Sequence, residues 1–247
     1  VIMNYTPSIN IEHSNFEPQN YIVTQNALSV VGNIVSSFQS GIHSFNIIGS
    51  YGTGKSNFIL ALEHCLKNNS HSLISNNGQF NGFKEFYFYK IVGDYISLYS
   101  LLSNYLPFKR RTGNIFDDLK TLLLNAEKSN KFVFIVIDEF GKLLEYAANN
   151  NPEKELYFLQ KFTEFINDHK RNVILLTTLH QNFNSYANTL SESQRNEWNK
   201  VKGRFKEIVF NEPVEQLLFL ASKRIGKKSR HILNKNFQKI YDLAISS

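Results

Sequence analysis

Eight consecutive residues of this chain have the types and spacing of a phosphate cradle. Gly49, Ser50, Tyr51, Gly52, Thr53, Gly54, Lys55 and Ser56 satisfy the pattern G-x-x-x-x-G-K-[ST] at every fixed position. Glycines admit backbone conformations closed to other residues, so successive N–H groups can turn inward as an anion nest. A helix starting near Gly54 would point the positive end of its dipole at the same anion. Lys55 supplies a mobile ammonium for β- and γ-phosphates, and the Ser56 hydroxyl is a ligand for Mg²⁺. Asn57 continues the stretch expected to contact the nucleotide.

A second group of residues complements the first. The apolar run Phe132 to Ile137 delivers Asp138 and Glu139 to what should be the carboxyl end of a buried strand. Ligands of open α/β sheets bind at that edge. A magnesium ion held by Ser56 and phosphate oxygens calls for a carboxylate there, and Asp138 is the candidate metal ligand, directly or through water. Glu139 is placed to accept a proton from an attacking water or to orient it. The competing explanation is an ordinary helix start, with Asp138 as N-cap and Glu139 in the first turn.

The elements needed to hold these groups are legible in the periodicity. Apolar residues from Thr24 to Phe38 recur at helical spacing, with Gly41 placed to end the helix. Phe45 to Ile48 is a short strand running into the glycine-rich loop, and Lys55 to Leu66 is again helical. Phe86 to Val92, Phe132 to Ile137, Val173 to Thr178 and Glu207 to Phe210 read as further strands. Asp117 to Ala126 and Leu156 to Ile166 read as helices between them. Strands alternating with helices imply right-handed crossovers and a mainly parallel sheet, hence an α/β fold. Residues 1–21 form a polar, extended or loosely docked lead-in, 22–211 the core, and 212–247 the start of a helical subdomain in which Pro213 opens one helix and residues 237–245 form another.

Composition narrows the partners. The net charge of +6 favours acidic partners, nucleic acid among them, but is modest for 247 residues. Lys109-Arg110-Arg111 and the series Lys223, Arg224, Lys227, Lys228, Arg230 are basic clusters for which solvated surface is the simpler account. No apolar run approaches a membrane span and no signal peptide is visible, so a cytoplasmic setting without membrane contact is expected. The lone Cys65 reads as a buried small hydrophobe. The chain opens at Val1 and ends inside a helical pattern, which reads as part of something longer.

Taken together, the loop and the acidic pair resemble the Walker A and Walker B elements of P-loop NTPases. Their order with more distal residues is similar to the AAA+ additional-strand ATPases. The resemblance spans roughly residues 22 to 225 and implies Mg–ATP as ligand and ATP hydrolysis. It implies a polar sensor at the tip of the Val173 to Thr178 strand, Thr178 or Thr177, with His180 and Gln181 as alternatives just beyond. Lys202-Gly203-Arg204-Phe205 before a short strand and Glu212-Pro213 looks like the stretch carrying the arginine finger, with Arg204 at the finger position and Arg195 as runner-up. A finger usually reaches a neighbour's nucleotide, so a homo-oligomer is implied. A surface pairing of Arg204 with Glu197 or Glu207 is the plainer alternative.

One departure from the family pattern is the lack of a clear second-sensor arginine, since Arg224 falls too early. The phrases Ile137-Asp138-Glu139-Phe140-Gly141-Lys142 and Gln194-Arg195-Asn196-Glu197-Trp198 resemble those of large bacterial ATP-binding proteins of anti-phage defence. That likeness implies DNA or an effector protein or domain as partner. Trp198, Phe183 and Tyr186 form either a partner surface or, more simply, core packing.

Overall fold

Alternation along the third strand sets the architecture. In the computed structural model, Val133, Ile135 and Ile137 belong to one buried cluster, and Phe132, Phe134 and Val136 to another. A strand buried on both faces requires a layer of helices on each side. The structure describes residues 11–12, 16–70, 72–74, 79–108, 112–212, 218 and 222.

The five strands are β1 (Ser44–Ile48), β2 (Glu85–Val92), β3 (Lys131–Asp138), β4 (Val173–Leu179) and β5 (Lys206–Val209). They form one parallel sheet in the order β2-β3-β4-β1-β5. Strand β4 therefore lies between β1 and β3, and its register puts Thr178 level with Ile47 and Thr177 level with Ile137. The helices α1 (Gln25–Gln39) and α2 (Lys55–Lys67) cover one face. Residues of α3 (Leu98–Tyr105), α4 (Ile115–Lys128), α5 (Gly141–Asn149), α6 (Pro152–Ile166) and α7 (Glu192–Lys202) cover the other.

Local chemistry accounts for the helix limits. The Thr24 side chain accepts from Ala27 N to cap α1, and Gly41 follows it at φ +88°, where a side chain would be strained. Ser191 and Gln194 form a reciprocal capping box at the start of α7. Two of the helices not named from sequence, α3 and α5, are short. α3 buries only Leu98, Leu101 and Leu102, too brief a pattern to stand out. α5 begins directly after the acidic pair, so its apolar residues merge with those of the strand.

Two expectations are sharpened by the structure. Asp138 closes β3 and Phe140 precedes α5, so the helix-cap alternative for Asp138 does not hold. Ile11, in the expected lead-in, is fully buried among α1 and α2 residues, and the Glu12 carboxylate accepts from Val92 N at 2.8 Å. Ile11 and Glu12 are thus docked against the core, Glu12 at the end of the edge strand.

Trp198 and Phe183 are core residues, their rings 4.9 Å apart. Cys65 is buried on α2, its sulfur 2.9 Å from the Ser72 hydroxyl. The chain divides into two compact units, Val1–Asn211 and Glu212–Ser247. Both basic clusters, Arg224 and the helices expected from Pro213 and over 237–245 lie outside the described residues. Among the described residues no helix is long and apolar enough to cross a membrane.

Candidate nucleotide site

The loop between β1 and α2 takes the backbone that its glycines permit. Gly52 and Gly54 have φ of +78° and +94°, and Gly54 caps α2 from the left-handed region. A residue with a Cβ would be strained at either position. The Thr53 hydroxyl donates to Ser50 O at 2.9 Å and braces the turn. Lys55, the first residue of α2, is 5% exposed. Its ammonium donates to Gly49 O and, at 2.9 Å, to Ser50 O, and lies 3.5 Å from His180 Nδ1. Burial lowers the Lys55 pKa, while nearby Asp138 acts in the opposite direction. Asn57 follows, half-buried in the same first turn.

Across the sheet edge, Ser56 Oγ donates to Asp138 Oδ2 at 2.7 Å. Thr178, fully buried on the intervening strand, donates its hydroxyl to Asp138 Oδ1. The Glu139 backbone N–H points at the same pair of atoms, 3.0 Å from Thr178 Oγ1 and 3.1 Å from Asp138 Oδ1. Glu139 has φ +55°, a conformation that a residue with a side chain adopts at a cost of about 1–2 kcal/mol. Phe140 N donates to Thr178 O at 3.0 Å, which holds the chain in that kink. The Glu139 side chain consequently reaches a cleft of about 360 Å³, lined also by Ser50, Tyr51, Lys142, His180 and Gln181.

Three further contacts in this cleft were not expected from sequence. Tyr51 is 79% exposed, and its ring stacks on His180 with centroids 3.4 Å apart. Burial first, and Lys55 second, lower the His180 pKa, which favours neutral imidazole. Lys142 Nζ lies 2.6 Å from Glu139 Oε2, and that hydrogen bond raises the lysine pKa. Tyr186 packs against Gly141, where any Cβ would collide with the tyrosine hydroxyl and ring. The i, i+3 spacing of Glu139 and Lys142 was a readable signal for their pairing. The Gly141–Tyr186 contact had none, because the two residues belong to distant segments.

The donor set fits magnesium bound with a nucleotide. Among the described residues no three His, Cys, Asp or Glu side chains cluster as a metal cage. Ser56 and Asp138 offer two hard oxygens side by side, and Mg²⁺ is commonly held by one or two protein oxygens plus phosphates and water. The Ser56 hydroxyl can continue to donate to Asp138 while its lone pair faces the ion. Thr177 is turned elsewhere, donating to Phe45 O and Asn46 Oδ1.

Arg204 is not part of this cluster. Its guanidinium donates to Glu164 Oε1 at 2.6 Å and to Lys200 O. This partner is neither Glu197 nor Glu207. Arg204 precedes β5, whose Lys206 is level with Phe45 and whose Val209 is level with Ile48. It therefore sits beyond the amino end of β5, which alone puts about 13 Å of strand between it and the phosphate-loop edge. Arg195, exposed on α7, donates weakly to Asn188 O at 3.4 Å.

No protein-family model matches the sequence, and no curated protein matches it. Solved structures do match in fold. The Aeropyrum pernix ORC2 protein aligns over 87% of this chain and 55% of its own, with 18% identity and a TM-score of 0.59 in the ADP form. In its ADPNP–ADP complexes the values are 16% identity and a TM-score of 0.55 at the same coverage. The Walker-type ATPase PABY2304 of Pyrococcus abyssi aligns over 91% of this chain and 63% of its own, with 11% identity and a TM-score of 0.54. This chain thus spans little more than half the length of ORC2. With the parallel order β2-β3-β4-β1-β5 and a glycine-rich loop leaving β1, the fold is that of an α/β P-loop nucleoside triphosphatase.

Proposed function

We propose that this chain binds ATP with Mg²⁺ at the loop and hydrolyses it. The observation that carries this reading is the 2.7 Å contact between Ser56 Oγ and Asp138 Oδ2, residues 82 positions apart that meet at the end of the helix dipole. In this reading the N–H groups of residues 50–56 and the Lys55 ammonium bind the phosphates, and Ser56 and Asp138 hold the ion. Bound magnesium would neutralise charge on the phosphate oxygens. Glu139 orients the attacking water and accepts its proton. Thr178 keeps the Asp138 carboxylate and the Glu139 backbone in place, acting as the sensor through that network. Adenine as the base follows from the family likeness, because the loop contacts phosphates and not bases.

Arg204 is assigned as the arginine finger of a neighbouring copy, which makes the functional unit a homo-oligomer. Its distance from its own loop and its half-exposed position support action in trans. Such a finger is typically worth about 10³–10⁵ in rate. The chain is read as one module of a larger cytoplasmic bacterial protein of anti-phage defence that couples ATP to remodelling of DNA or of a protein effector. The resemblance of its Ile137–Lys142 and Gln194–Trp198 phrases to such proteins supports that setting.

A second reading, a nucleotide-gated switch or scaffold with little turnover, is favoured by one feature. Glu139, the assigned base, is held by Lys142 at 2.6 Å. Steady-state turnover and calorimetric Mg–ATP binding on the wild type and Glu139→Gln decide between them. Hydrolysis predicts binding retained and turnover reduced at least 100-fold in the variant. Tight binding with negligible turnover in both proteins favours the switch. Absence of binding rejects both.

A further inference from the structure

Lys142 has no counterpart among the groups that bind phosphate or metal in the reading above, yet it stands in the same cleft. Its backbone N–H donates to Glu139 O at 3.2 Å, so the two side chains leave the same turn. The ion pair is half-exposed, 48% for Lys142 and 35% for Glu139. A pair so open to water contributes little to stability and exchanges readily for another partner.

The surroundings of Lys142 are acidic. Glu139 is nearest, Asp94 contributes from the loop after β2, and Glu145 lines the same cleft one turn along α5. Tyr51, on the phosphate loop, also acts on its charge. The neutral His180 imidazole lines the same cleft, with the Lys55 ammonium 3.5 Å from its Nδ1. Lys142 therefore remains charged at neutral pH and faces the loop across the cleft on a flexible four-carbon stem. A carboxylate oxygen accepting from an ammonium at 2.6 Å has that lone pair engaged and is not free to accept from an attacking water.

We propose that Lys142 is a triphosphate-responsive cation, pairing with Glu139 until a γ-phosphate is bound and then moving onto its oxygens, which frees the Glu139 carboxylate. The idea rests on the nucleotide reading above. It makes charge at the γ position, absent from a diphosphate, the signal that arms the base.

Binding measured by calorimetry tests this without turnover. The full chain would be titrated with Mg–ADP and with a non-hydrolysable Mg–ATP analogue, as wild type, Lys142→Met, Glu139→Gln and the double variant. Lys142→Met should weaken the triphosphate about fivefold and leave the diphosphate unchanged. Glu139→Gln should tighten the triphosphate by a similar factor, but only while Lys142 is present. Lys142→Arg should restore the preference, and Lys142→Gln serves as a second neutral variant if the methionine form is unstable. Equal weakening of both nucleotides by Lys142→Met overturns the proposal. So does tightening by Glu139→Gln that persists in the double variant, since it reports direct carboxylate–phosphate repulsion. If the wild type binds neither nucleotide, the site assignment itself fails, a result distinct from both.

Discussion

Thr178 and Asp138 share a buried hydrogen bond between adjacent strands, and the Glu139 N–H converges on the same two side chains. The carboxylate proposed to hold the metal and the kinked backbone of the proposed base are thus set by one hydroxyl. Thr178→Val preserves shape but leaves Asp138 Oδ1 without that donor. Loss of a buried hydrogen bond of this kind costs about 1–3 kcal/mol. Denaturant unfolding should show that loss, and Mg-dependent nucleotide affinity should fall with it. A variant as stable as wild type would remove Thr178 from this role.

Gly141→Ala should also destabilise, by about 1–3 kcal/mol, because the new methyl meets the Tyr186 ring. Tyr186→Leu, which vacates that space, should lower the added cost of Gly141→Ala. Strict additivity in a double-mutant cycle would contradict a direct contact.

Lys55→Ala separates binding from folding. Saturating Mg–ATP at about 100 times its Kd should stabilise the wild type by about 2.7 kcal/mol. The variant should show no ligand-dependent rise in melting temperature while still unfolding cooperatively. A retained ligand shift would displace Lys55 from phosphate binding.

Arg204→Ala removes the Glu164 ion pair and the contact to Lys200 O, a modest loss of about 1 kcal/mol or less at a partly exposed site. Its larger effect should be on turnover. Mixing Arg204→Ala with Glu139→Gln, each inactive alone, should recover part of the activity if the guanidinium serves a neighbouring copy. Mixtures no more active than their components would place Arg204 outside trans catalysis.

Stability should decline as the pH falls below about 6.5. The folded-state pKa values of His43 and His180 are both lowered from 6.5, chiefly by burial. The unfolded chain then binds protons that the folded chain refuses, so acid favours unfolding. Thermal melts between pH 7.5 and 5.5 should show this loss, and His43→Phe should reduce its slope.

Much of the site could be read along the chain because its chemistry is local. Residues 49–56 must be contiguous, since a nest of successive N–H groups has to be built from neighbouring peptides and a helix start. Asp138 and Glu139 were legible for a similar reason, as the polar residues ending a wholly apolar strand. Periodicity likewise revealed the long helices and the parallel strands, though not α3 or α5, whose buried faces are too short to rise above the background.

Tertiary structure decided what depends on contacts between distant segments. Strand order puts β4 between β1 and β3, so Thr178, and not Thr177, meets the Asp138 carboxylate on the oxygen that Ser56 leaves free. Packing seats Tyr186 on Gly141, stacks Tyr51 over His180, and buries Ile11 in the core on the α1 and α2 side. It also pairs Arg204 with Glu164, a partner that neighbouring acidic residues in the sequence did not suggest. Such pairings follow from where crossovers deliver each strand end, a relation that spacing along a single chain does not encode.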